Sequence, residues 1–105
     1  MIKLRIDADG YDLSDDLKSR IEDRIGGLDE FMDTLAQGHV TVSWAGGKNE
    51  QTEVRAQVWG GGHKFDGSDT DWKAEKAIDQ TREKLSSQIR REHSKESRSH
   101  DRHRD

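Results

Sequence analysis

Five basic residues, Lys73, Lys76, Lys84, Arg91 and Lys95, recur at intervals that suit one side of a helix. At about 100° per residue they fall within a single arc of about 100°. Glu75, Asp79 and Glu83 fall on the opposite flank, so the charges are sorted by sign rather than mixed. Aligned ammonium and guanidinium groups neutralise phosphates: they release counterions from a polyanion, with a log–log salt slope of about −0.9 per contact on a duplex. A convex helical face suits structured RNA recognised by shape better than it suits reading of base edges. The competing reading is a solvated helix flank, which most charge runs are.

Other chemistries find less support. His93, His100 and His103 are loosely spaced and have no carboxylate cluster placed with them, so no metal site is expected. There is no cysteine, hence no thiolate nucleophile, disulfide or Cys-type zinc site. Ser and His lack the spacing of a nucleophile elbow. Gly60-Gly61-Gly62 lacks the Lys-Ser/Thr of a phosphate loop and precedes a strand-like segment, so it reads as a hairpin turn. No enzyme, cofactor or small-molecule substrate is therefore expected. Of the tryptophans, Trp44 alternates with Val40 and Val42 and reads as core. Trp59 has the opposite phase from Val54 and Val58, which leaves it on an exposed face and open to base stacking. Trp72 reads as a packing anchor at a helix start.

The elements that carry these residues follow from periodicity. At 105 residues the chain is one domain with one core. Leu, Ile, Val and Phe total 18 and none lies in 91–105, so a fold is expected through about residue 90. Ile2, Leu4 and Ile6 alternate with charged residues, as in a half-buried strand. Ser14, followed by Asp15 and Asp16, reads as a helix N-cap. Leu17, Ile21, Ile25, Leu28, Met32 and Leu35 then form one helical stripe that Gly38 ends. Within it Gly26-Gly27 costs about 1 kcal/mol per residue relative to Ala, which points to a bend or a close approach to the sheet.

Val40, Val42 and Trp44 mark a second strand, residues 45–50 a loop, and Thr52, Val54, Ala56 and Val58 a third strand. His63 to Asp66 reads as a short returning strand, and from about Asp69 a second helix runs to the low nineties, burying Ala74, Ile78, Thr81, Leu85 and Ile89. The order is β-α-β-β-β-α: an α+β fold, a four-stranded mixed sheet with two helices on one face. The first crossover makes strands one and two parallel, and the short later links make the rest antiparallel. The domain is expected over 1–93, with 94–105 a disordered charged tail. Residues 81–105 carry 8 of the 18 Lys+Arg but 5 of the 22 Asp+Glu, against a net charge of −4 for the chain. Mean hydropathy is −1.16, and no membrane span or signal peptide is legible, so a cytoplasmic location is expected. Arg20 and Arg24 edge the apolar stripe of the first helix. Facing the basic flank of the second, they would line a positive groove.

The opening Ile2-Lys3-Leu4-Arg5-Ile6, the helix start Leu13-Ser14-Asp15-Asp16-Leu17-Lys18, and Asp23-Arg24-Ile25 followed by Leu28-Asp29-Glu30-Phe31 form a recognisable series. It continues through the glycine-rich hairpin to Lys76-Ala77-Ile78-Asp79 and Lys84-Leu85. In their order and spacing, over roughly residues 1–95, the chain resembles the ribosome hibernation-promoting factor family. These proteins are also described as ribosome-associated inhibitor or sigma-54 modulation proteins, and in length the chain resembles their short form.

The resemblance implies a domain related in shape to double-stranded RNA-binding domains. Such a domain binds the small ribosomal subunit between head and body, where tRNA and mRNA lie, and silences translation under stress. It also implies rRNA phosphate contacts from both helices, at Lys18, Arg20 and Arg24 and at Lys84, Arg91 and Lys95. With the stripe, the candidate rRNA-binding set is Lys18, Arg20, Arg24, Lys73, Lys76, Lys84, Arg90, Arg91 and Lys95, on a protein expected to be monomeric when free. This chain departs from the family pattern at Glu75, where an aromatic residue is common, and at Gly27 and Ser87, where basic residues are common. Two rivals stand beside this reading: a protein-interaction module that docks through its acidic first helix, and a generic structured-RNA binder.

Overall fold

The computed structural model describes residues 1–46 and 51–102, with side chains described to residue 95. Residues 47–50 of the expected loop, residues 103–105, and the side chains of Arg98, His100 and Arg102 lie outside the described residues. The order is β1 (Lys3–Asp9), α1 (Asp15–Arg24), a 3₁₀ helix (Gly26–Glu30), β2 (Gln37–Ala45), β3 (Gln51–Gly60), β4 (His63–Asp71) and α2 (Ala74–Arg102). The sheet order is β1-β2-β3-β4. β1 and β2 pair in parallel, and the other two pairs are antiparallel. Both helices cover one face, which is the α+β arrangement that the alternation of elements predicts.

Register explains the division of faces. Leu4, Gly38, Val58 and Phe65 share one row across the sheet, and Ile6, Val40, Ala56 and Gly67 the next. These rows point toward the helices, where Ile21, Ile25, Leu28, Ile78, Leu85 and Ile89 complete a core that excludes solvent. Gly38 lies inside β2 and not at a helix end. A Cβ there would come within 2.7 Å of Leu4 Cδ2 and of the Gln57 carbonyl oxygen.

The first helical stripe is not one helix. Ser14 caps α1 by accepting from Leu17 N (3.2 Å), and Asp15 and Asp16 favour its positive end. The helix stops at Arg24, and Gly26-Gly27 open the 3₁₀ helix that replaces the expected continuation. The Gly26 carbonyl accepts from Ile2 N at 2.8 Å, and a Cβ on Gly26 would lie 3.2 Å from Met1 Cε. The close approach to β1 therefore holds as expected, and it coincides with the helix end. Leu28, Met32 and Leu35 are still buried, because a 3₁₀ turn and a reverse turn keep the spacing of roughly three residues that the stripe shows.

Gly61 and Gly62, with φ of 59° and 82°, form the two-residue turn between β3 and β4, a connection that needs left-handed backbone at both positions. β4 then runs to Asp71, five residues beyond the expected end at Asp66, and α2 starts at Ala74 rather than near Asp69. Pairing with β3 down to Thr52↔Asp71 holds this strand. Side chains of α2 cover its outer edge: Gln88 Nε2 donates to the Asp66 carbonyl (2.6 Å) and Lys84 Nζ to the Ser68 carbonyl (2.8 Å). The helical backbone continues to Arg102, across the boundary at 93 beyond which the sequence suggests a disordered tail. No Gly or Pro interrupts it.

Candidate nucleic-acid interface

On α2 the phasing read from the sequence holds except at Ala74, which is half-buried at the helix start, while Ala77 is buried. Ile78, Thr81, Leu85 and Ile89 are buried, and the Thr81 hydroxyl donates to the Ala77 carbonyl at 2.8 Å, which satisfies it inside the core. Lys73, Lys76, Lys84, Arg91 and Lys95 are all exposed. At 1.5 Å per residue, the stripe from Lys73 to Lys95 is about 33 Å long. Among the described residues, Lys73, Lys76, Arg91 and Lys95 have no carboxylate partner. Lys84 differs: it holds the β4 edge and lies 3.4 Å from Asp69 Oδ2.

Two of the free cations stand where the helix disfavours them. The Lys73 carbonyl accepts from Ala77 N (3.1 Å), which makes Lys73 the N-cap and Lys76 a first-turn residue of α2. A positive charge at that end of the macrodipole costs about 0.3–1 kcal/mol. Their placement is therefore not explained by helix stability. Asp71 compensates in part, accepting from Lys73 N (3.0 Å) and from Gln80 Nε2 (3.3 Å).

The positive groove that Arg20 and Arg24 would line if they faced the basic flank does not form. Arg20 Nη2 lies 2.8 Å from Asp79 Oδ2 and Arg24 Nε 3.6 Å from Asp79 Oδ1, so the arginine edge of α1 meets the acidic flank of α2. Beside that seam Arg82 pairs with Glu30 (3.5 Å) and Glu83 (3.2 Å). The basic stripe lies on the other side of α2, next to β4. Arg90 lies off the stripe, standing 5.6 Å from the Phe31 ring centroid with Nε directed at the Ser86 carbonyl (3.4 Å). Lys18 is exposed and lies about 160° around α1 from Arg20. Of the nine candidate residues, the fold brings together Lys73, Lys76, Lys84, Arg91 and Lys95 and separates the other four from them.

The tryptophans also divide. Trp44 packs on Tyr11 with ring centroids 4.5 Å apart, and the Tyr11 hydroxyl bonds the Thr52 hydroxyl at 2.9 Å. Trp59 lies half-buried on the helix-free face, in line with Gln37 and Lys64. Trp72 is not a packing anchor, since 71% of its surface is exposed. The helix-free face carries its own network: Asp7 Oδ2 takes His39 Nε2 at 2.7 Å and Arg5 Nε at 3.1 Å. The hydrogen bond from His39, aided by the charge of Arg5, holds the Asp7 carboxyl below the ordinary carboxylate value. Among the described residues, no three His, Asp or Glu side chains converge as metal ligands, and no helix is long and apolar enough to cross a membrane.

The fold is thus that of a small α+β domain with both helices on one sheet face and a one-sided basic stripe on the second helix. Its family is specific: residues 4–97 match the Sigma 54 modulation protein / S30EA ribosomal protein family, and the chain belongs to that family. It is accordingly a ribosome-associated protein of the sigma-54-modulation, hibernation type, a family not known for enzymes. No curated protein sequence matches the chain. Among solved structures, the fold is similar to a ribosomal subunit interface protein from Coxiella burnetii, with a TM-score of 0.78 and 17% identity over 89% of this chain and 99% of that one. It is also similar to the N-terminal domain of Protein Y from Thermus thermophilus, with a TM-score of 0.72 and 23% identity over 86% and 96% of the two chains.

Proposed function

We propose that this protein is a cytoplasmic translation inhibitor that occupies the tRNA/mRNA channel of the small ribosomal subunit under stress, held there by rRNA phosphates. The observation that carries this reading is the sorted surface of α2. Five cations share one exposed face, and four of them have no carboxylate partner among the described residues. Lys73, Lys76, Lys84, Arg91 and Lys95 form the phosphate track in this reading. Lys18, Arg20, Arg24 and Arg90 are secondary contacts, the two α1 arginines acting after Asp79 releases them. The free protein is a monomer and needs no cofactor or small-molecule substrate.

Affinity is then electrostatic and salt-dependent, with five contacts giving a log–log slope of about −3.5 to −4.5. The test is sedimentation with purified small subunits across a salt series, with free duplex RNA as competitor. Binding that weakens steeply with salt and resists the competitor supports the reading. Efficient competition by free duplex favours a generic structured-RNA binder. Binding without that slope favours docking through the exposed acidic residues of α1, such as Asp15, Glu22 and Asp23.

A further inference from the structure

Trp72 sits between β4 and α2 with 71% of its surface in solvent. Because Lys73 is the N-cap of α2, Trp72 holds the position before it, from which a large apolar side chain commonly packs on the fourth helical residue. That residue is Ala77, which is completely buried, while the indole stays outside. The fold makes little use of the ring. Nor is Trp72 carried on a slack connection. Asp71 is paired with Thr52 in the sheet, and its carboxylate accepts from Lys73 N and from Gln80 Nε2 at 3.0 and 3.3 Å. The turn is braced on both sides of the tryptophan, and an indole has just two side-chain torsions to fix on binding.

We propose that Trp72 is a stacking platform for an unpaired RNA base, placed at the leading end of the phosphate track. The proposal rests on the reading that the α2 stripe binds RNA, and it names the kind of RNA: a helical element with an unpaired nucleotide beside it. Lys73 follows the indole directly and Lys76 comes one turn later, both exposed and without a carboxylate partner among the described residues. An unstacked nucleotide carries a flat apolar face and, within the same unit, the phosphates that such lysines take. The residues that flank Trp72 in the chain, Thr70, Asp71, Lys73, Glu75 and Lys76, are all polar or charged, so the turn itself adds no apolar side chain beside the ring for a protein partner to cover. Stacking tolerates any base, so the platform selects unpaired structure rather than sequence.

The experiment compares the native chain with Trp72→Ala and Trp72→Phe. Each is titrated with purified small subunits, with an RNA hairpin bearing a single-stranded overhang, and with the blunt hairpin, across a salt series. Trp72→Ala is expected to weaken binding to subunits and to the overhang RNA by about 5- to 150-fold, the equivalent of about 1–3 kcal/mol for one stacked base. The salt slope stays unchanged because no phosphate contact is lost. Trp72→Phe retains most of the affinity, and the blunt hairpin is bound alike by all three. Equal binding of Trp72→Ala and the native chain to the overhang RNA overturns the proposal and leaves the phosphate track standing. Loss on subunits without loss on the overhang RNA overturns it in favour of a ribosomal protein as the ring's partner. Failure of the native chain to bind either subunits or RNA overturns the track and the platform together.

Discussion

Replacing Lys73, Lys76, Arg91 and Lys95 together with Gln is expected to remove most of the salt sensitivity of ribosome binding while leaving the fold intact. Those four side chains are exposed and hold no carboxylate among the described residues, so their removal takes away phosphate contacts and little else. Lys84 is spared because it covers the Ser68 carbonyl on the β4 edge, where its loss would confuse binding with stability. With five duplex-type contacts, raising salt from about 50 to about 200 mM weakens the native chain by about 500-fold; with one remaining contact the same change costs about 3- to 4-fold. The log–log slope flattens by about 3.6 on duplex-like rRNA and by about 2.8 on single strands. Each exposed substitution should change stability by less than about 0.5 kcal/mol, and two of them relieve charge at the positive end of the α2 dipole. The thermal transition therefore stays in place or rises slightly. Pelleting with purified small subunits gives the slope, and circular dichroism gives the transition. A quadruple variant that pellets with the native slope would show that the stripe is an ordinary solvated flank.

Asp79→Ala tests whether the α1 arginines are held in reserve. The Arg20–Asp79 side chains are 33% and 42% exposed, so losing the pair should cost under about 1 kcal/mol. The two freed guanidinium groups should steepen the salt slope by up to about 1.8 if that edge meets RNA. An unchanged slope removes Arg20 and Arg24 from the interface. Gly38→Ala brings a methyl within 2.7 Å of Leu4 Cδ2 and the Gln57 carbonyl. It should destabilise the domain by about 1–3 kcal/mol, and a chemical denaturation midpoint equal to that of the native chain would contradict the packing described. Asp7→Asn should matter at neutral pH and cease to matter in acid. The folded Asp7 carboxyl is held low, so its contribution is complete above the ordinary carboxylate range and is lost as pH falls through its depressed folded value. A gap between the two melting curves that persists unchanged into strong acid would refute the His39–Asp7 link.

Local pattern carried much of this structure. Ile2, Leu4 and Ile6, then Val40 and Val42, then Val54 and Val58 place the strands by alternation, and Ile78, Leu85 and Ile89 phase α2 closely enough to find its basic face. The failures are all long-range. Leu28, Met32 and Leu35 keep a spacing that one helix, or a 3₁₀ turn followed by a reverse turn, satisfies equally well. What decides is the approach of Gly26 to Met1 and Ile2. The polar run Asp66 to Asp71 does not read as strand. It becomes one because β3 pairs with it and Lys84 and Gln88 cover its outer carbonyls. Which flank of α2 faces α1 was likewise settled by a pairing between Arg20 and Asp79, 59 residues apart. Trp72 could not be judged from spacing, since nothing near it in sequence reveals that the ring finds no cover.

One helix serves two purposes in this domain, and it follows every strand in chain order. Until α2 docks, the β3–β4 half of the sheet lacks the helix that covers it, and the cations of the stripe have no fixed arrangement. Synthesis proceeds from the other end, at about 5–20 residues per second. In the reading proposed above, the basic surface of α2 is therefore made after the four strands that support it.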